Sequence, residues 1–228
     1  MFKKFIFLFM FIVIIFSINC KKTDIANAKM QYNPDSLLNP GYLYAKFAQN
    51  PQDSVLVFAL AENYYLAQQY DSSVKYYHLL TQIAQRSAKL YNSIGNCYTG
   101  LANYRDAKTY YQMSIRTDPN YIPPAVNLAN TFRSIGMIEE AKTQYLQVIE
   151  KDPGYWIAYI NLGHIYFQGK TPDDLKKARE NYQNAYEKIN QTQLSDSTKA
   201  SYQIMLTNSI TICDSLLDVL NPKRPYEK

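Results

Sequence analysis

The sequence is poor in the residue types that build catalytic and metal sites. Its 228 residues include two histidines, three cysteines and seven glycines. It has no glycine-rich phosphate loop, no nucleophile elbow and no paired acids placed for general acid–base chemistry. His164 has no second ligand at helical spacing, and a single histidine does not make a metal site. The sequence therefore predicts neither an enzyme nor a bound metal or cofactor.

The chain also lacks a strong excess of charge in its folded part. It carries 24 lysines and arginines against 19 aspartates and glutamates, a formal net charge of +5. Four of these lysines, Lys3, Lys4, Lys21 and Lys22, flank an apolar run at the amino terminus. Without them the count is 20 basic against 19 acidic residues. Because no basic cluster interleaved with aromatics remains, the sequence predicts no nucleic-acid partner.

One long apolar run, residues 5–16, lies near the amino terminus. It is shorter than the roughly 20 residues that cross a bilayer and suits the apolar core of a secretory signal peptide. The following Cys20 resembles a bacterial lipoprotein processing site, at which the signal peptide, residues 1–19, is removed and the cysteine is acylated. Asn19 and Ser17 depart from that motif, so an uncleaved signal anchor is the alternative.

The processing site implies a lipid anchor in the cell envelope. Stable anchoring takes more than one acyl chain, which a processed Cys20 would carry. Residues 20–35 are polar and unpatterned, so we interpret them as a flexible tether. Lys21 after the cysteine favours the outer membrane, by analogy with enteric lipoproteins, with the folded part facing the periplasm.

The rest of the chain repeats a unit that is clearest at residues 122–155. Both halves of the unit place apolar residues three and four positions apart, which is typical of a helix with one buried face. These residues are Ala125, Leu128, Ala129 and Phe132, then Ile138, Ala141, Tyr145, Val148 and Ile149. Gly136 separates the halves, and Pro153 ends the second because proline lacks a backbone N–H. The unit is a predicted pair of helices.

The pattern recurs at a shift of 34 residues. Leu128, Ala129, Phe132, Ala141 and Tyr145 correspond to Ile94, Gly95, Tyr98, Ala107 and Tyr111, and to Leu60, Ala61, Tyr64, Ser73 and Tyr77. Small residues recur because only Gly, Ala or Ser fits where two helices cross most closely. In a fourth copy Ala178 and Tyr182 arrive three residues late. We therefore expect a longer turn at residues 169–172, with Thr171 as N-cap and Pro172 at the first helical position.

This unit resembles the tetratricopeptide repeat. Leu128, Ala129, Phe132, Gly136, Ala141, Tyr145 and Pro153 fall on the family's signature positions, and Ala125 stands where the family often has tryptophan. The resemblance implies an all-α, right-handed solenoid with repeats at 54–87, 88–121, 122–155 and 156–190. Residues 36–53 are a predicted partial repeat with a helix at 40–49. Residues 191–228 are a predicted capping helix, 196–220, and tail, since a repeat stack needs a terminal element with one polar face.

In that family the first helices line a concave groove that binds extended peptides or a partner's helix. The resemblance implies that the groove is lined by Tyr65, Asn92, Asn96, Asn127, Asn130, Arg133, Asn161 and His164, the candidate partner-binding residues, with Phe58, Glu62, Lys89, Thr99 and Phe167 beside them. Asparagine recurs, and an exposed amide both donates to and accepts from a peptide backbone. The alternative is that asparagine is simply frequent at these positions.

The family's carboxylate clamp, which captures an acidic carboxyl terminus, is only half matched. Asn96 and Asn127 fit it, but Asn92, Ile157 and Asn161 stand at its basic positions, so we do not predict that specialisation. Two functions remain. The first is a membrane-anchored scaffold that binds a peptide or partner protein, in envelope or pilus assembly. The second is a structural, self-associating protein whose groove is filled by its own tail or another copy.

The two remaining cysteines and the other histidine are predicted to have structural or surface roles. Cys97 and Cys213 lie on helices several helix spacings apart, beyond the reach of a disulfide. We therefore expect two buried free thiols. His78 falls on a second helix and is a predicted solvated surface group.

Overall fold

A computed structural model describes residues 40–220, which form ten α-helices and no strand. They are α1 Pro40–Gln49, α2 Ser54–Leu66, α3 Tyr70–Ile83, α4 Ala88–Gly100, α5 Tyr104–Thr117, α6 Pro123–Ser134, α7 Ile138–Lys151, α8 Trp156–Gly169, α9 Pro172–Asn190 and α10 Asp196–Leu220. The predicted helices 40–49 and 196–220 are confirmed. The proposed signal peptide, Cys20, the whole tether and the carboxyl-terminal tail lie outside the described residues.

The helices pair into four hairpins, α2–α3, α4–α5, α6–α7 and α8–α9, which stack in chain order. Each helix packs chiefly on its neighbours in sequence, and α4 also contacts α6, so first helices of adjacent repeats share a face. This is an all-α solenoid, as predicted. No helix among the described residues is long and apolar enough to cross a membrane.

Local sequence signals explain where several helices begin. Asp53 caps α2 by accepting from the backbone N–H groups of Val55 and Leu56. Ser87 caps α4 and Asn103 caps α5 in the same way. Such side chains satisfy N–H groups that have no partner inside the helix.

The core of each hairpin is a tyrosine of the second helix set against a small residue of the first. The rings of Tyr77, Tyr111, Tyr145 and Tyr182 are between 0% and 2% exposed. In two repeats the small residue is glycine: a Cβ on Gly95 would lie 2.6 Å from Tyr111, and one on Gly163 would lie 2.7 Å from Tyr182. The predicted close crossings are therefore confirmed, since Ala107, Ala141 and Ala178 are also completely buried.

The turn inside each hairpin uses one left-handed residue at the same repeat position. Gln68, Ala102, Gly136 and Lys170 have φ values of 58°, 55°, 82° and 58°. Only the third repeat supplies glycine, the residue that adopts this conformation without steric cost. The other three turns carry a small backbone strain.

The fourth repeat does not have the longer turn that we expected. Helix α8 ends at Gly169 and α9 begins at Pro172, so the extra residues form an additional turn at the start of α9. Thr171 caps this helix, as predicted, by accepting from the backbone N–H of Asp174 at 3.1 Å. Leu175 in the added helical turn is only 1% exposed. Because this apolar side chain is buried, the extra residues are more stable as helix than as a loop.

The final helix closes the stack against the fourth repeat. Tyr202, Leu206 and Cys213 of α10 are buried against α9 and its surroundings. Arg179 of α9 forms an ion pair with Asp214 of α10 at 2.6 Å. Trp156 packs edge-on against Tyr202, with ring centroids 4.4 Å apart.

Cys97 and Cys213 are both buried, as expected, and no disulfide joins them within residues 40–220. The prediction for His78 is wrong. Its ring lies edge-on to Tyr110 at 5.7 Å, and its Nε2 is 3.5 Å from the hydroxyls of Tyr98 and Tyr110. Because this half-buried site disfavours the charged imidazolium, burial lowers the pKa of His78.

Candidate functional site

Each buried tyrosine contacts one position of the first helix in its own repeat, and in the first three repeats it does so through its hydroxyl. Tyr77 donates to Glu62, Tyr111 donates to Asn96 Oδ1 at 2.9 Å, and Tyr145 donates to Asn130 Oδ1 at 2.5 Å. In the fourth repeat the Tyr182 ring lies edge-on to His164, with centroids 5.6 Å apart. We call residues 62, 96, 130 and 164 the tyrosine-facing position. Three of the candidate binding residues occupy it.

The hydroxyl has a second neighbour three residues further along the first helix. In the second repeat this is Thr99, whose Oγ1 is 2.9 Å from the Tyr111 hydroxyl. In the third repeat Arg133 donates a hydrogen bond to the Tyr145 hydroxyl, and burial, opposed by Arg133, raises the pKa of Tyr145 to about 12. The hydroxyl therefore stays protonated at neutral pH. Since arginine only donates, the tyrosine hydrogen goes to Asn130.

An asparagine bridge joins the second and third repeats. The Nδ2 group of Asn127 donates to Asn92 Oδ1 and to Asn96 Oδ1, both at 3.0 Å. Asn92 is only 7% exposed. We expected these amides to be exposed to solvent in the free protein. That expectation is wrong for Asn92; Asn96 and Asn127 are partly exposed, and the bridge uses part of their hydrogen-bonding capacity to hold α4 against α6.

Counting lone pairs shows what these amides still offer to a ligand. The carbonyl oxygen of Asn96 accepts from both Tyr111 and Asn127, which fills its two lone pairs. The oxygen of Asn130 accepts one bond, from Tyr145, and keeps one lone pair. Their NH₂ groups remain, so these two residues present donors to the groove. The network, rather than the side chain alone, fixes the amide orientation.

Arg133 is a half-buried cation without a carboxylate. Its Nε is buried and has no hydrogen-bond acceptor, and no acidic side chain of the described residues pairs with it. Burial, reinforced by the positive charge of Arg133, lowers the pKa of His164 to about 4. His164 is therefore neutral at pH 7 and adds no positive charge beside Arg133.

The structure does not bring the other two candidates into this network. Asn161 is partly exposed on α8, and its side chain makes no hydrogen bond within the described part of the chain. Tyr65 packs edge-on against Tyr70 at 5.6 Å, and burial raises its pKa. Both lie on first helices, as expected, but neither joins the amide bridge.

Sequence reasoning missed Tyr77, Tyr111 and Tyr145 as hydrogen-bond donors to the groove. A signal was present, because Tyr77, Tyr111 and Tyr145 each follow the residue that they contact by fifteen positions. Elsewhere, a depression of about 350 Å³ lies between α9 and α10 and is lined by Tyr186, Ala200, Gln203, Ile204, Thr207 and Asn208. Over residues 40–220 no group of three or more His, Cys, Asp or Glu is placed to hold a metal.

Comparison with known proteins identifies the repeat and the fold. Residues 88–121 match the tetratricopeptide-repeat family model. No curated protein matches the chain. Among solved structures, a thermophilic tetratricopeptide-repeat protein of Thermus thermophilus is similar at 14% identity, with a TM-score of 0.58, over 75% of this chain and 89% of that one.

Two further structures share the fold. YrrB, a tetratricopeptide-repeat protein with an unusual peptide-binding site, is 18% identical, with a TM-score of 0.52, over 65% of this chain and 75% of its own. PilW, a type IV pilus biogenesis factor, is 13% identical, with a TM-score of 0.56, over 81% and 86%. The described stack therefore has the fold of tetratricopeptide-repeat proteins.

Proposed function

We propose that this tetratricopeptide-repeat stack is a protein-interaction scaffold that binds an extended segment of a partner along α4, α6 and α8. The observation that supports the proposal is the common orientation of two asparagine amides on the first helices. Asn96 and Asn130 turn their oxygens to buried tyrosines, which leaves N–H donors for a ligand. An extended peptide offers backbone carbonyls as acceptors. The peptide-binding site named for YrrB supports this use of the fold.

The first experiment locates the partner. A photo-crosslinking amino acid is placed at Lys89, which is exposed on the first helix α4, and separately at Lys176, which is exposed on the second helix α9. We expect crosslinks to a different protein from position 89 and none to that protein from position 176. Equal crosslinking from both positions would show that the first helices are not the binding face.

The second experiment tests the donors with a substitution that leaves the internal bonds in place. Glu62 shows that a carboxylate at the tyrosine-facing position accepts from the tyrosine. Asn96→Asp therefore keeps both accepted bonds, removes the donors and adds one negative charge, which the control also adds. We expect the free energy of unfolding to change by less than about 0.5 kcal/mol and partner binding to weaken by roughly 0.5–1.5 kcal/mol. Asn208→Asp, an exposed change on α10, is the control.

A second candidate function is self-association. Several apolar side chains of α10 face solvent, among them Ile204 at 64% and Val219 at 74% exposure. If another copy covers them, the full chain forms a dimer that Ile204→Glu dissociates, as measured by light scattering. A crosslink at position 89 to the same protein, with symmetric dimers in solution, would favour this candidate over the scaffold.

The proposal extends to the cell envelope. We propose that Cys20 is acylated and anchors the protein, with the outer membrane, facing the periplasm, as the expected location. The description of PilW as a pilus biogenesis factor supports a role in envelope or pilus assembly. The test is metabolic labelling with a fatty acid: label should be present in the parent chain and absent in Cys20→Ala, which should also leave the membrane fraction.

A further inference from the structure

We infer that Arg133 and the Asn130 amide form a binding site for one carboxylate group of the ligand, which we call the carboxylate site. The inference rests on the proposed function, because it names the ligand chemistry that the groove favours. It begins with the charges of the first helices. Helices α4, α6 and α8 carry two cations, Lys89 and Arg133, and no acidic residue. The groove floor formed by these three helices is thus positive, and the one acid on a first helix of the four repeats, Glu62, lies on α2 and accepts from Tyr77.

Arg133 differs from its counterparts in the other repeats. The same position holds Tyr65, Thr99 and Phe167, none of them charged. The guanidinium is half-buried: its Nε is buried and has no acceptor among the described residues, while the rest of the group stays within reach of a ligand. Buried charges in proteins are normally paired, since leaving one alone costs desolvation energy. Over residues 40–220 no carboxylate pairs with Arg133, and an anion from outside would supply that partner at the accessible part of the guanidinium.

The groups around Arg133 favour an acceptor as ligand. Asn130 lies three residues earlier on the same helix face, and its oxygen already accepts from Tyr145. Its NH₂ group therefore points a donor toward the same region. His164 remains neutral beside Arg133, so it adds no second charge. One cation with neighbouring donors matches one carboxylate, and the planar guanidinium fork suits its two oxygens.

The carboxylate site differs from the carboxylate clamp of tetratricopeptide-repeat proteins, which this sequence matches only in half. The clamp's basic positions hold Asn92, Ile157 and Asn161, and Arg133 stands at none of them. The carboxylate of this ligand belongs either to an aspartate or glutamate side chain or to a carboxyl terminus. The experiment is arranged to separate these sources.

The test follows the Arg133 Nε–H and Asn130 NH₂ resonances of the full chain, detergent-solubilised where it is acylated, by NMR during titration. The probes are N-acetylglutamate α-amide for a side chain, N-acetylglycine for a terminus, N-acetylglutamine amide as the neutral control, and inorganic phosphate. We expect saturable shifts with one or both carboxylates and none with the neutral probe. The carboxylate that binds more tightly identifies the source.

Substitutions show whether the shifts report this site. Arg133→Gln, which keeps a donor for Tyr145, should weaken carboxylate binding about tenfold or more, with Asn130 as the reporting resonance. Arg116→Gln, an exposed change on α5, should have no effect. Should Arg133→Gln unfold, Arg133→Lys keeps the charge without the fork and should give an intermediate loss.

Three results would overturn the carboxylate site: equal shifts with the neutral probe, no saturable shift with either carboxylate, or tighter binding of phosphate. None of them would remove the scaffold itself. A crosslinked partner that binds the groove equally well in Arg133→Gln would leave the proposed function standing and exclude the site. Loss of groove crosslinking in the parent would instead remove the proposed function.

Discussion

The first two repeats and the last two build the same hairpin but support its outer aromatic ring differently. In the first two, the ring of the first helix stacks on a tyrosine of the second helix in the same repeat. Tyr64 and Tyr76 lie 5.3 Å apart at 5°, and Tyr98 and Tyr110 lie 5.4 Å apart at 15°. The contact is local to each hairpin.

In the last two repeats Gln144 and Asn181 stand where the second tyrosine would be. Lysines from the preceding repeat cover the remaining rings: Lys108 lies over Phe132 and Lys142 over Tyr166, each at 5.3 Å. These two contacts join one hairpin to the previous one, and in the fourth repeat Lys177 of the same hairpin also lies over Tyr166, at 5.4 Å. The stability of a repeat array is the sum of contributions from within each repeat and from the interfaces between neighbours. The outer ring stabilises the repeat itself in the first half, whereas in the second half it also stabilises the interface with the preceding repeat.

The comparison shows that two sets of contacts vary independently. One is the buried frame, made of the small residues and tyrosines at the helix crossings, and the other is the set of contacts made by the outer ring. Small residues and tyrosines at the helix crossing are common to all four repeats, while the outer ring accepts either an aromatic or a cation as partner. The frame should therefore respond to mutation alike in both halves, and the outer contacts should not.

The largest effect is expected from overpacking the shared frame. Ala107 and Ala141 are both 0% exposed, one in each half. Ala107→Leu and Ala141→Leu should each lower the free energy of unfolding by about 3 kcal/mol, measured by urea denaturation. Leu146→Ala, at a half-exposed site of α7, should change it by no more than about 0.5 kcal/mol. A tolerated leucine in only one half would show that the frame is not shared.

The outer contacts should differ in size between the halves. Tyr110→Gln gives the second repeat the residue that the third has, and removes a stacked pair together with edge contacts to His78 and Tyr91. It should cost about 1–3 kcal/mol. Lys142→Gln should cost roughly 0.5–1 kcal/mol. Equal losses from the two variants would contradict the distinction.

The two halves should also respond differently to acid, since each holds one histidine. The pKa of His164 in the folded protein is about 4, below its ordinary value of about 6.5. Between these values the unfolded chain binds a proton that the folded chain does not, so stability falls as the pH is lowered from 6.5 to 4.

His164→Asn installs the residue of the second and third repeats and should remove about 1–2 kcal/mol of this pH dependence. His78→Gln, in the first half, should remove a smaller part, because burial alone lowers the pKa of His78. The measurement is urea denaturation at pH 7 and pH 4.5. An unchanged difference between the two pH values in His164→Asn would show that His164 is protonated freely in the folded state.

The smallest effects concern the left-handed turns, and here the second and third repeats should respond with opposite signs. Gly136→Ala places a Cβ in open space, so its cost is the backbone conformation alone, about 0.5–1 kcal/mol. Ala102→Gly relieves the same strain in the first half and should gain a similar amount. Thermal melting of the two variants checks the sign. A stabilised Gly136→Ala would rule out strain as the reason.

The frame was predictable because it depends on burial, which leaves a periodic trace in one sequence. The recurrence of Ala107, Ala141 and Tyr145 at 34-residue steps gave the helix pairs and their close crossings. The polar contacts were not predictable in the same way. Which group meets Asn96 depends on how two helices are rotated about their axes, and an asparagine looks the same whether it is exposed or bonded. The amides were thus assigned to the groove without their internal partners.

Arg179 gives the stack a way to end. It occupies the position of Lys108 and Lys142 in the last repeat, but it meets Asp214 of α10 where those lysines meet an aromatic ring. At this repeat position the final helix therefore supplies a carboxylate, Asp214, as the partner of the cation. A gene that lost one 34-residue unit would bring Lys142 to this helix in place of Arg179, and the charge pair could form again. The number of repeats can then change while the capping helix α10 stays the same, so a new capping helix does not have to evolve each time a repeat is gained or lost.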